Sequence, residues 1–267
     1  MLILVFLILI ITIVYNVYDN NRIAVVTEKV VIKNLPESFN NFTILQLSDL
    51  HGKRFGQNQK DLIDKINSQS YDMIAITGDM QDMSSQNDEP LLEMLDSIIN
   101  KEDLFYVSGN HGPKYSEKLQ SKGCIPLDKP YEIKRGNNSI WVHDFYDGKF
   151  HSDIKYIDNE DIKIAVTHYP FDEAFYSTSS DTIGEYDLVL AGHYHGGQVR
   201  IPFYGAVFIP DINGNNLFPK QNVVSGLNTY GRYNQYVSRG LGASKEGIID
   251  FRLFNTPEIN LITLVKE

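Results

Sequence analysis

The stretch that decides the fold is Gly192-His193-Tyr194-His195-Gly196-Gly197-Gln198, which follows the apolar run Tyr186-Asp187-Leu188-Val189-Leu190-Ala191. Side chains alternate along an extended segment, so we expect His193 and His195 to face one side and Tyr194 the other. The neighbouring glycines let the backbone bend and let a ligand come close. Two imidazole donors that point the same way indicate a metal site. An isolated pair of this kind is more often part of a polar surface loop.

Four other apolar runs end in residues of the same kind, which favours the metal site over the surface loop. These runs are 42–49, 71–79, 104–111 and 162–168. The candidate metal donors at the five ends are Asp49, His51, Asp79, Asn110, His111, His168, His193 and His195.

The order of the predicted elements indicates the fold class. Helical spacing of apolar residues in 58–68 and 89–100 alternates with strands early in the chain, and strands follow one another later. This order predicts an α/β protein, a four-layer α/β/β/α sandwich of two mixed sheets with flanking helices. Ligands of such sheets bind beyond the carboxyl ends of the strands, where the candidate donors lie.

The mixture of donor types limits the choice of metal. Carboxylate oxygens, an amide oxygen and imidazole nitrogens suit Mn, Fe or Zn better than Ca or Mg, which prefer oxygen alone. The donors are too many for one tetrahedral ion but fit two ions that share a bridging carboxylate. Two cations about 3.5–4 Å apart can hold a phosphate ester and activate a hydroxide.

The five motifs together resemble the signature of the calcineurin-like metallophosphoesterases. They are Asp49-Leu50-His51, Gly78-Asp79, Gly109-Asn110-His111, Thr167-His168 and Gly192-His193-Tyr194-His195. The chain is most similar to one subgroup of the family, the bacterial membrane-associated YkuE- and YaeI-like phosphodiesterases. This similarity comes from the apolar segment at residues 1–18 and from residues 196–202 and 238–242.

The resemblance implies a role for each motif residue. Asp49, His51 and His195 would hold one metal, and Asp79 would bridge to a second. Asn110, His168 and His193 would complete the second site. His111 matches the catalytic histidine of the family, which stabilises charge or protonates the leaving oxygen. The reasoning from residue types alone does not separate His111 from the metal ligands.

The chain departs from the family pattern at one position. The family usually has Asp or Glu after the Gly-Asn-His motif, whereas this chain has Gly112. An acidic partner orients a histidine and sets its tautomer and basicity. We therefore expect His111 to be held less firmly and activity to be reduced, unless Glu117 or Asp144 takes the place of the acid.

The first residues predict a membrane anchor. Residues 1–14 are apolar except for Thr12, and tyrosines follow. A secretory signal peptide is the alternative, but no basic residue precedes the apolar run and no small-residue cleavage site follows it. We predict an anchor over 1–18, a linker with a leading strand or hairpin over 19–41, and a metallophosphoesterase domain over 42–267. The expected location is the cell membrane, with a single N-terminal span; Arg22 alone does not determine the orientation.

Charge and cysteine content exclude some classes of protein. A formal net charge of −10 argues against a general nucleic-acid binder, which needs a basic surface. Bound cations would then have to attract an anionic substrate. The single cysteine, Cys124, excludes an intrachain disulfide framework.

These observations predict a membrane-tethered dinuclear metal-dependent phosphoesterase. It would hydrolyse phosphodiester, pyrophosphate or phosphomonoester bonds through a metal-activated hydroxide. A lipid-linked substrate is a hypothesis that the anchor motivates. The alternative is a non-catalytic protein that uses the metal-site scaffold as a binding module, and Gly112 is the feature that points there. A mononuclear redox metalloprotein is a third, less favoured interpretation.

Overall fold

The computed structural model describes residues 1–81, 87–112, 116–145, 157, 161–171, 186–209, 216–231, 233–244 and 252–267. The helices are α1 Leu2–Asn21, α2 Lys60–Asn67, α3 Glu89–Ser97, α4 Glu117–Gln120 and α5 Gln221–Val224. The strands are β1 Ala24–Ile32, β2 Thr43–Leu47, β3 Met73–Ile76, β4 Leu104–Tyr106, β5 Ile125–Pro126, β6 Tyr131–Arg135, β7 Asn138–His143, β8 Ile162–Val166, β9 Leu188–Ala191, β10 Arg200–Ile201, β11 Gly205–Ala206, β12 Phe208–Ile209, β13 Asn216–Leu217, β14 Gly226–Tyr230, β15 Tyr233–Val237 and β16 Glu258–Lys266.

Two six-stranded sheets form the body of the protein. The first sheet has the order β1-β16-β2-β3-β4-β5, and the second has the order β14-β15-β9-β8-β7-β6. Strands β2 to β5 are parallel, and β16 runs antiparallel to β2. Strands β7, β8, β9 and β15 are parallel, and β6 and β14 are antiparallel at the edges. The predicted α/β fold with two mixed sheets and flanking helices is confirmed.

The sheets are apolar on both faces, which explains why their strands read as unbroken apolar runs. Between the sheets, β2 to β4 pack against β7 to β9 through the buried side chains Ile44, Ala75, Phe105, Ile140, Ile164 and Leu190. On the outer face of the first sheet, Leu45, Ile74 and Ile76 pack against α2 and α3. Helix α2 contributes Leu62 and Ile66, which are one turn apart on one helical face.

Residues 24–32 form one strand rather than a hairpin. Strand β1 pairs in parallel with β16 from Ala24 opposite Glu258 to Ile32 opposite Lys266, so it is the edge strand of the first sheet. Because β1 and β2 run in opposite directions, the start of β1 lies at the edge where β2 ends. The carboxyl end of α1, which directly precedes β1, therefore lies at the same edge as the carboxyl ends of β2, β3 and β4.

Helix α1 is apolar and mostly exposed. It is the one helix in the described part of the chain that is long and apolar enough to cross a membrane. Its 20 residues span about 30 Å at 1.5 Å per residue, which matches the hydrocarbon core of a bilayer. Asp19 near its carboxyl end is the buried exception.

Candidate metal centre

The carboxyl ends of five strands meet between the two sheets and bring the predicted donors together. Strands β2, β3 and β4 lead into Asp49, Asp79 and Asn110, and β8 and β9 lead into His168 and His193. Two groups of three side chains result, and within each group the ligand atoms all lie within 4.8 Å of one another. The first triad is Asp49, His51 and His195, and the second triad is Asp79, His168 and His193.

The first triad is buried throughout. The Nε2 atoms of His51 and His195 are 3.2 Å apart, and His195 Nε2 lies 3.7 Å from Asp49 Oδ1. All three residues are at most 5% exposed. Three candidate ligand atoms therefore converge among side chains that are almost fully buried.

The second triad is more open. His168 Nε2 lies 3.2 Å from both Asp79 Oδ2 and His193 Nδ1. The side chain of Asn110 adds a fourth donor, with Oδ1 2.7 Å from His168 Nε2. His168 is buried, His193 is half-buried and Asn110 is exposed, so this triad faces the outside on one side.

The Asp79 carboxylate lies between the two triads. Its Oδ2 atom is 3.6 Å from His51 Nε2 in the first triad and 3.2 Å from His168 Nε2 in the second. A carboxylate in this position can contact both ions of a dinuclear site, as the resemblance implies for Asp79.

The hydrogen bonds of His168 show that this arrangement fits a cation. His168 Nδ1 lies 2.9 Å from the carbonyl oxygen of Thr77, and because a carbonyl only accepts, Nδ1 must donate. In neutral His168, Nε2 then carries a lone pair that faces an oxygen of Asp79 and a ring nitrogen of His193. Lone pairs that face one another repel unless a proton or a metal ion lies among them. A hydrogen bond from the far ring nitrogen is also the usual support of a metal-binding histidine.

The pKa values of the two carboxyls differ because their surroundings differ. Burial raises the pKa of Asp49 to about 6, although His168 opposes the shift. Burial alone would raise the pKa of Asp79 as well, but the hydrogen bond and charge of His168, with His51 behind it, hold that pKa well below its usual value. Asp79 is therefore ionised at neutral pH even without a metal.

The pKa values of His168, His193 and His195 also differ because of their surroundings. Burial and the nearby His168 lower the pKa of His193 to about 3, and burial together with His51 lowers the pKa of His195 well below its usual value. Burial also acts to lower the pKa of His168, but Asp79 outweighs it and raises that pKa. His193 and His195 are thus neutral at pH 7, which is the form that binds metals. His168, whose pKa is raised, keeps a proton more readily, and this proton must leave before its Nε2 atom can bind a metal.

The loops that carry the ligands have an uncommon backbone conformation. Five of the predicted ligands have left-handed backbones with positive φ, namely Asp49 at 52°, His51 at 48°, Asp79 at 52°, His193 at 69° and His195 at 49°. Each such residue costs about 1–3 kcal/mol, and residues of this kind cluster at functional sites. Backbone hydrogen bonds from Asp49 to Gly78 and from His51 to Asp79, both 2.9 Å, tie the loops together.

The predicted extended conformation of the His193-Tyr194-His195 motif is wrong. Strand β9 ends at Ala191, and His195 begins a one-turn 3-10 helix. Because both histidines have left-handed backbones, their rings do not share one side of a strand. His193 joins the second triad and His195 joins the first.

Glycines let the loops approach the Asp49 side chain. A Cβ atom at Gly192 would collide with the Ser48 hydroxyl and the Asp49 carboxylate. At Gly240, where φ is +69°, a Cβ would lie 2.6 Å from Asp49 Cβ. Glycine at 192 is therefore required by the close packing around the ligand.

His111 lies at the mouth of the centre. Its backbone nitrogen donates to Asp79 Oδ1 over 2.7 Å, and its ring centroid is 6.0 Å from that of His51. Gly112 follows in a turn with no room for a side chain, because a Cβ there would collide with the carbonyl oxygen of Ser108. Glu117 is exposed on α4, whereas Asp144 lines a cavity beside His168.

Four supporting residues were not predicted from the sequence. Ser48 Oγ donates to Asp49 Oδ2 over 2.6 Å, and Asn255 Nδ2 donates to the carbonyl oxygen of His195 over 2.7 Å. The fully buried Arg252 donates to the carbonyl oxygens of Arg239 and Gly242, at 2.7 Å each. The fourth is Thr77, which accepts from His168. Ser48 and Thr77 directly precede motifs, so their positions could have identified them as supporting residues. No sequence pattern distinguishes Arg252 or Asn255.

The comparisons with known proteins agree with this geometry. The family model described as calcineurin-like phosphoesterase matches residues 42–197, more than half of the chain. This protein therefore belongs to the calcineurin-like phosphoesterases, as its motifs predicted.

Individual relatives match over different lengths. The metallophosphoesterase YkuE of Bacillus subtilis (strain 168) is 26% identical over 251 residues, which cover 86% of this chain and 81% of YkuE. The phosphodiesterase YaeI of Escherichia coli (strain K12) is 36% identical over 80 residues, or 30% of this chain and 26% of YaeI. The crystal structure of the phosphopantetheinyl hydrolase PptH from Mycobacterium tuberculosis aligns with 76% of this chain and 91% of that chain, at a TM-score of 0.47 and 11% identity.

Proposed function

We propose that this protein is a membrane-tethered phosphoesterase that uses two metal ions to hydrolyse phosphodiester, pyrophosphate or phosphomonoester bonds. The observation that carries the proposal is the pair of triads with the Asp79 carboxylate between them. Family membership supports the reaction class.

Each side chain has a role in the proposed centre. Asp49, His51 and His195 would hold one divalent ion, and His168, His193 and Asn110 would hold the other, with the Asp79 carboxylate available to both. When bound, the two ions supply positive charge for the phosphoryl oxygens and lower the pKa of water. The donor set favours Mn, Fe or Zn.

His111 is the proposed catalytic residue. Its backbone is fixed by the hydrogen bond to Asp79, and its ring lies at the mouth of the centre rather than in either triad. From there the ring donates a proton to the leaving oxygen or stabilises its charge. General acid catalysis of this kind contributes about 10²–10⁴-fold to a rate.

Two observations support a diester substrate. Part of the chain is similar to YaeI, which is named a phosphodiesterase. Beside His168 lies an open cavity of about 440 Å³, lined in part by Tyr106, Leu127 and Tyr169. This cavity has room for the second substituent of a diester, and its walls are mixed, because Asp128 and Asp144 line it together with the aromatic residues.

Helix α1 supports the proposed tether and, with it, a lipid-linked substrate. Its exposed apolar surface and length suit a bilayer, and its carboxyl end lies at the same edge as the metal centre. A deletion of residues 1–18 tests the substrate hypothesis, since the detergent-extracted enzyme should then lose its preference for lipid esters over soluble esters. An unchanged preference would contradict it.

Turnover of bis-p-nitrophenyl phosphate with added Mn tests the catalytic proposal. We expect metal-dependent hydrolysis by the parent protein and a loss of about 10²–10⁴-fold in kcat for His111→Ala. Asp64→Asn, a change to an exposed residue on α2, is the matched control and should leave kcat unchanged. A parent protein without metal-dependent turnover would instead support the binding scaffold that Gly112 suggests.

A further inference from the structure

An exposed apolar surface lies on the hairpin that follows the metal centre. Strands β10 and β11 pair, and the chain turns between them through Pro202, Phe203 and Tyr204. We define the hairpin patch as Ile201, Phe203, Tyr204, Leu217 and Phe218, which are between 47% and 111% exposed. The rings of Tyr204 and Phe218 are 5.9 Å apart, so both parts of the patch form one surface.

The patch is concentrated rather than scattered. Outside α1 and the preceding Met1, the other large hydrophobic residues exposed in the described part of the chain are Val31 and Ile99. Single exposed apolar residues are normal, whereas a contiguous patch marks a surface that contacts another molecule or a membrane.

The patch is continuous with the end of helix α1. Phe254 lines the same crevice as Ile201, Phe203 and Tyr204, and its ring centroid is 6.0 Å from that of Tyr15 on α1. Hydrogen bonds fix this contact, since Asn20 Nδ2 donates to the carbonyl oxygen of Arg252 over 2.7 Å. The last turns of α1 are therefore attached to the domain next to the patch.

The neighbouring residues suit the boundary between lipid and water. Tyrosines gather at this boundary, and Tyr15 and Tyr18 stand at the carboxyl end of the apolar helix. Phe254 connects the aromatic hairpin to Tyr15, because it lies next to both. Lys220 is exposed next to Gln221, whose side chain bonds to Ala206 on β11. A lysine beside an apolar aromatic surface attracts anionic lipid headgroups.

We propose that the hairpin patch inserts into the lipid bilayer beside α1 and forms a second membrane contact. This inference rests on the proposed membrane tether. The hairpin begins five residues after His195, and Arg200 on β10 donates to the carbonyl oxygen of Gly196 over 2.7 Å. The lipid contact is thereby joined to the loop of the first triad, and the metal centre is held against the membrane surface. The substrate class that fits this placement is a phosphate ester of a lipid, with its phosphate at headgroup depth.

Site-specific fluorescent labels on the full-length protein test the inference. Cys124 is 3% exposed, so an NBD label attaches chiefly to an introduced cysteine. Phe203→Cys probes the patch, Tyr18→Cys probes the tether, and Ile99→Cys is a control at an exposed apolar residue that precedes β4, at the opposite edge of the sheet. The variants are placed in vesicles of phosphatidylethanolamine and phosphatidylglycerol. We expect a several-fold rise in emission and quenching by nitroxide lipids at 203 and 18, and neither at 99.

The other quenching results would overturn the inference, and they differ in what they mean for the tether. Quenching at 18 without quenching at 203 overturns the inference and leaves the tether standing. No quenching at 18 overturns both the tether and the inference. A rise at 203 that nitroxide lipids do not quench shows that a protein surface, such as a second copy of the chain, covers the patch, and overturns the lipid contact. Hydrolysis of bis-p-nitrophenyl phosphate by each labelled variant tests the catalytic proposal separately.

Discussion

The two triads of the metal centre are built from the same residue types but differ in their access to solvent. Asp49, His51 and His195 are all buried, and Arg252 and Asn255 support the loops around them. In the second triad, His193 is half-buried, the adjoining Asn110 is exposed, and an open cavity lies beside His168. In the proposed centre, the first triad would therefore hold its ion away from solvent, and the second triad would present its ion to the substrate.

Substitution of Asp79 should produce the largest fall in activity, because its carboxylate lies between the two triads. Asp79→Asn removes the charge that lies beside His51 and His168. Loss of several kcal/mol of charge stabilisation corresponds to a fall in kcat of about 10³-fold or more. Metal content, measured by mass spectrometry, should fall below two ions per chain. Two retained ions with unchanged kcat would contradict a shared carboxylate.

Asn110→Ala should weaken metal binding by the second triad and leave metal binding by the first triad unchanged. Asn110 contacts His168 in the second triad only, so we expect retention of the first ion and weaker binding of the second. Loss of a partner that only orients a metal ligand typically costs about 10–100-fold in affinity or activity, so loss of Asn110, a proposed ligand, should cost at least that much. Calorimetric titration with Mn measures each affinity, and loss of both ions would show that the triads are not independent.

The pH dependence of metal-induced stabilisation follows from the pKa of Asp49. Burial raises this pKa to about 6, so the folded protein without metal binds a proton that the unfolded chain releases near pH 4. The stability that this proton contributes is complete below pH 4 and is lost as the pH rises through 6. A metal compensates the ionised carboxylate, so added Mn should raise Tm more at pH 7.5 than at pH 5.

The size of this stabilisation depends on the metal concentration. At 100 times Kd a bound ligand stabilises by about 2.7 kcal/mol, which thermal unfolding detects easily. An equal rise in Tm at both pH values would show that Asp49 does not exchange a proton for the ion. Lys60→Met, a change at an exposed residue on α2, is a control for general effects of charge.

Asn255→Ala should have the smallest effect on activity. Its side chain donates to the carbonyl oxygens of His195 and Gln198, outside the ligand atoms themselves. We expect a loss of about 1–3 kcal/mol in the free energy of unfolding, because buried carbonyl groups lose their donor. The fall in kcat should be less than tenfold. Chemical denaturation and bis-p-nitrophenyl phosphate turnover measure the two effects, and a large loss of activity without loss of stability would contradict a supporting role.

The sequence predicted the sheets well, and the physical reason also explains why the candidate donors lie close together. Strands that are buried on both faces read as apolar runs, and the loops after parallel strands all begin at one edge of the sheet. The apolar runs before Asp49, Asp79 and His168 therefore located the strands and placed these candidate donors at one edge of the sheet. The same reasoning could not assign donors to triads, because that depends on how each loop turns.

The sequence analysis was wrong or incomplete where the result depends on loop geometry or on residues far apart in the sequence. The alternation rule failed at His193 and His195, where left-handed backbones turn the rings toward different triads. Arg252 and Asn255 support the centre through backbone carbonyls although they lie far along the chain from the last motif, and no periodicity reveals such contacts. The hairpin patch depends on which apolar residues remain exposed, which only the packed structure determines.

A crystal structure of the Mn-loaded protein, with anomalous diffraction data at the Mn edge, tests the central claim most directly. We predict two anomalous peaks, one among Asp49, His51 and His195 and the other among Asp79, His168 and His193, with Asp79 in contact with both. A single peak, or peaks outside the two triads, in protein that hydrolyses the diester would contradict the dinuclear centre.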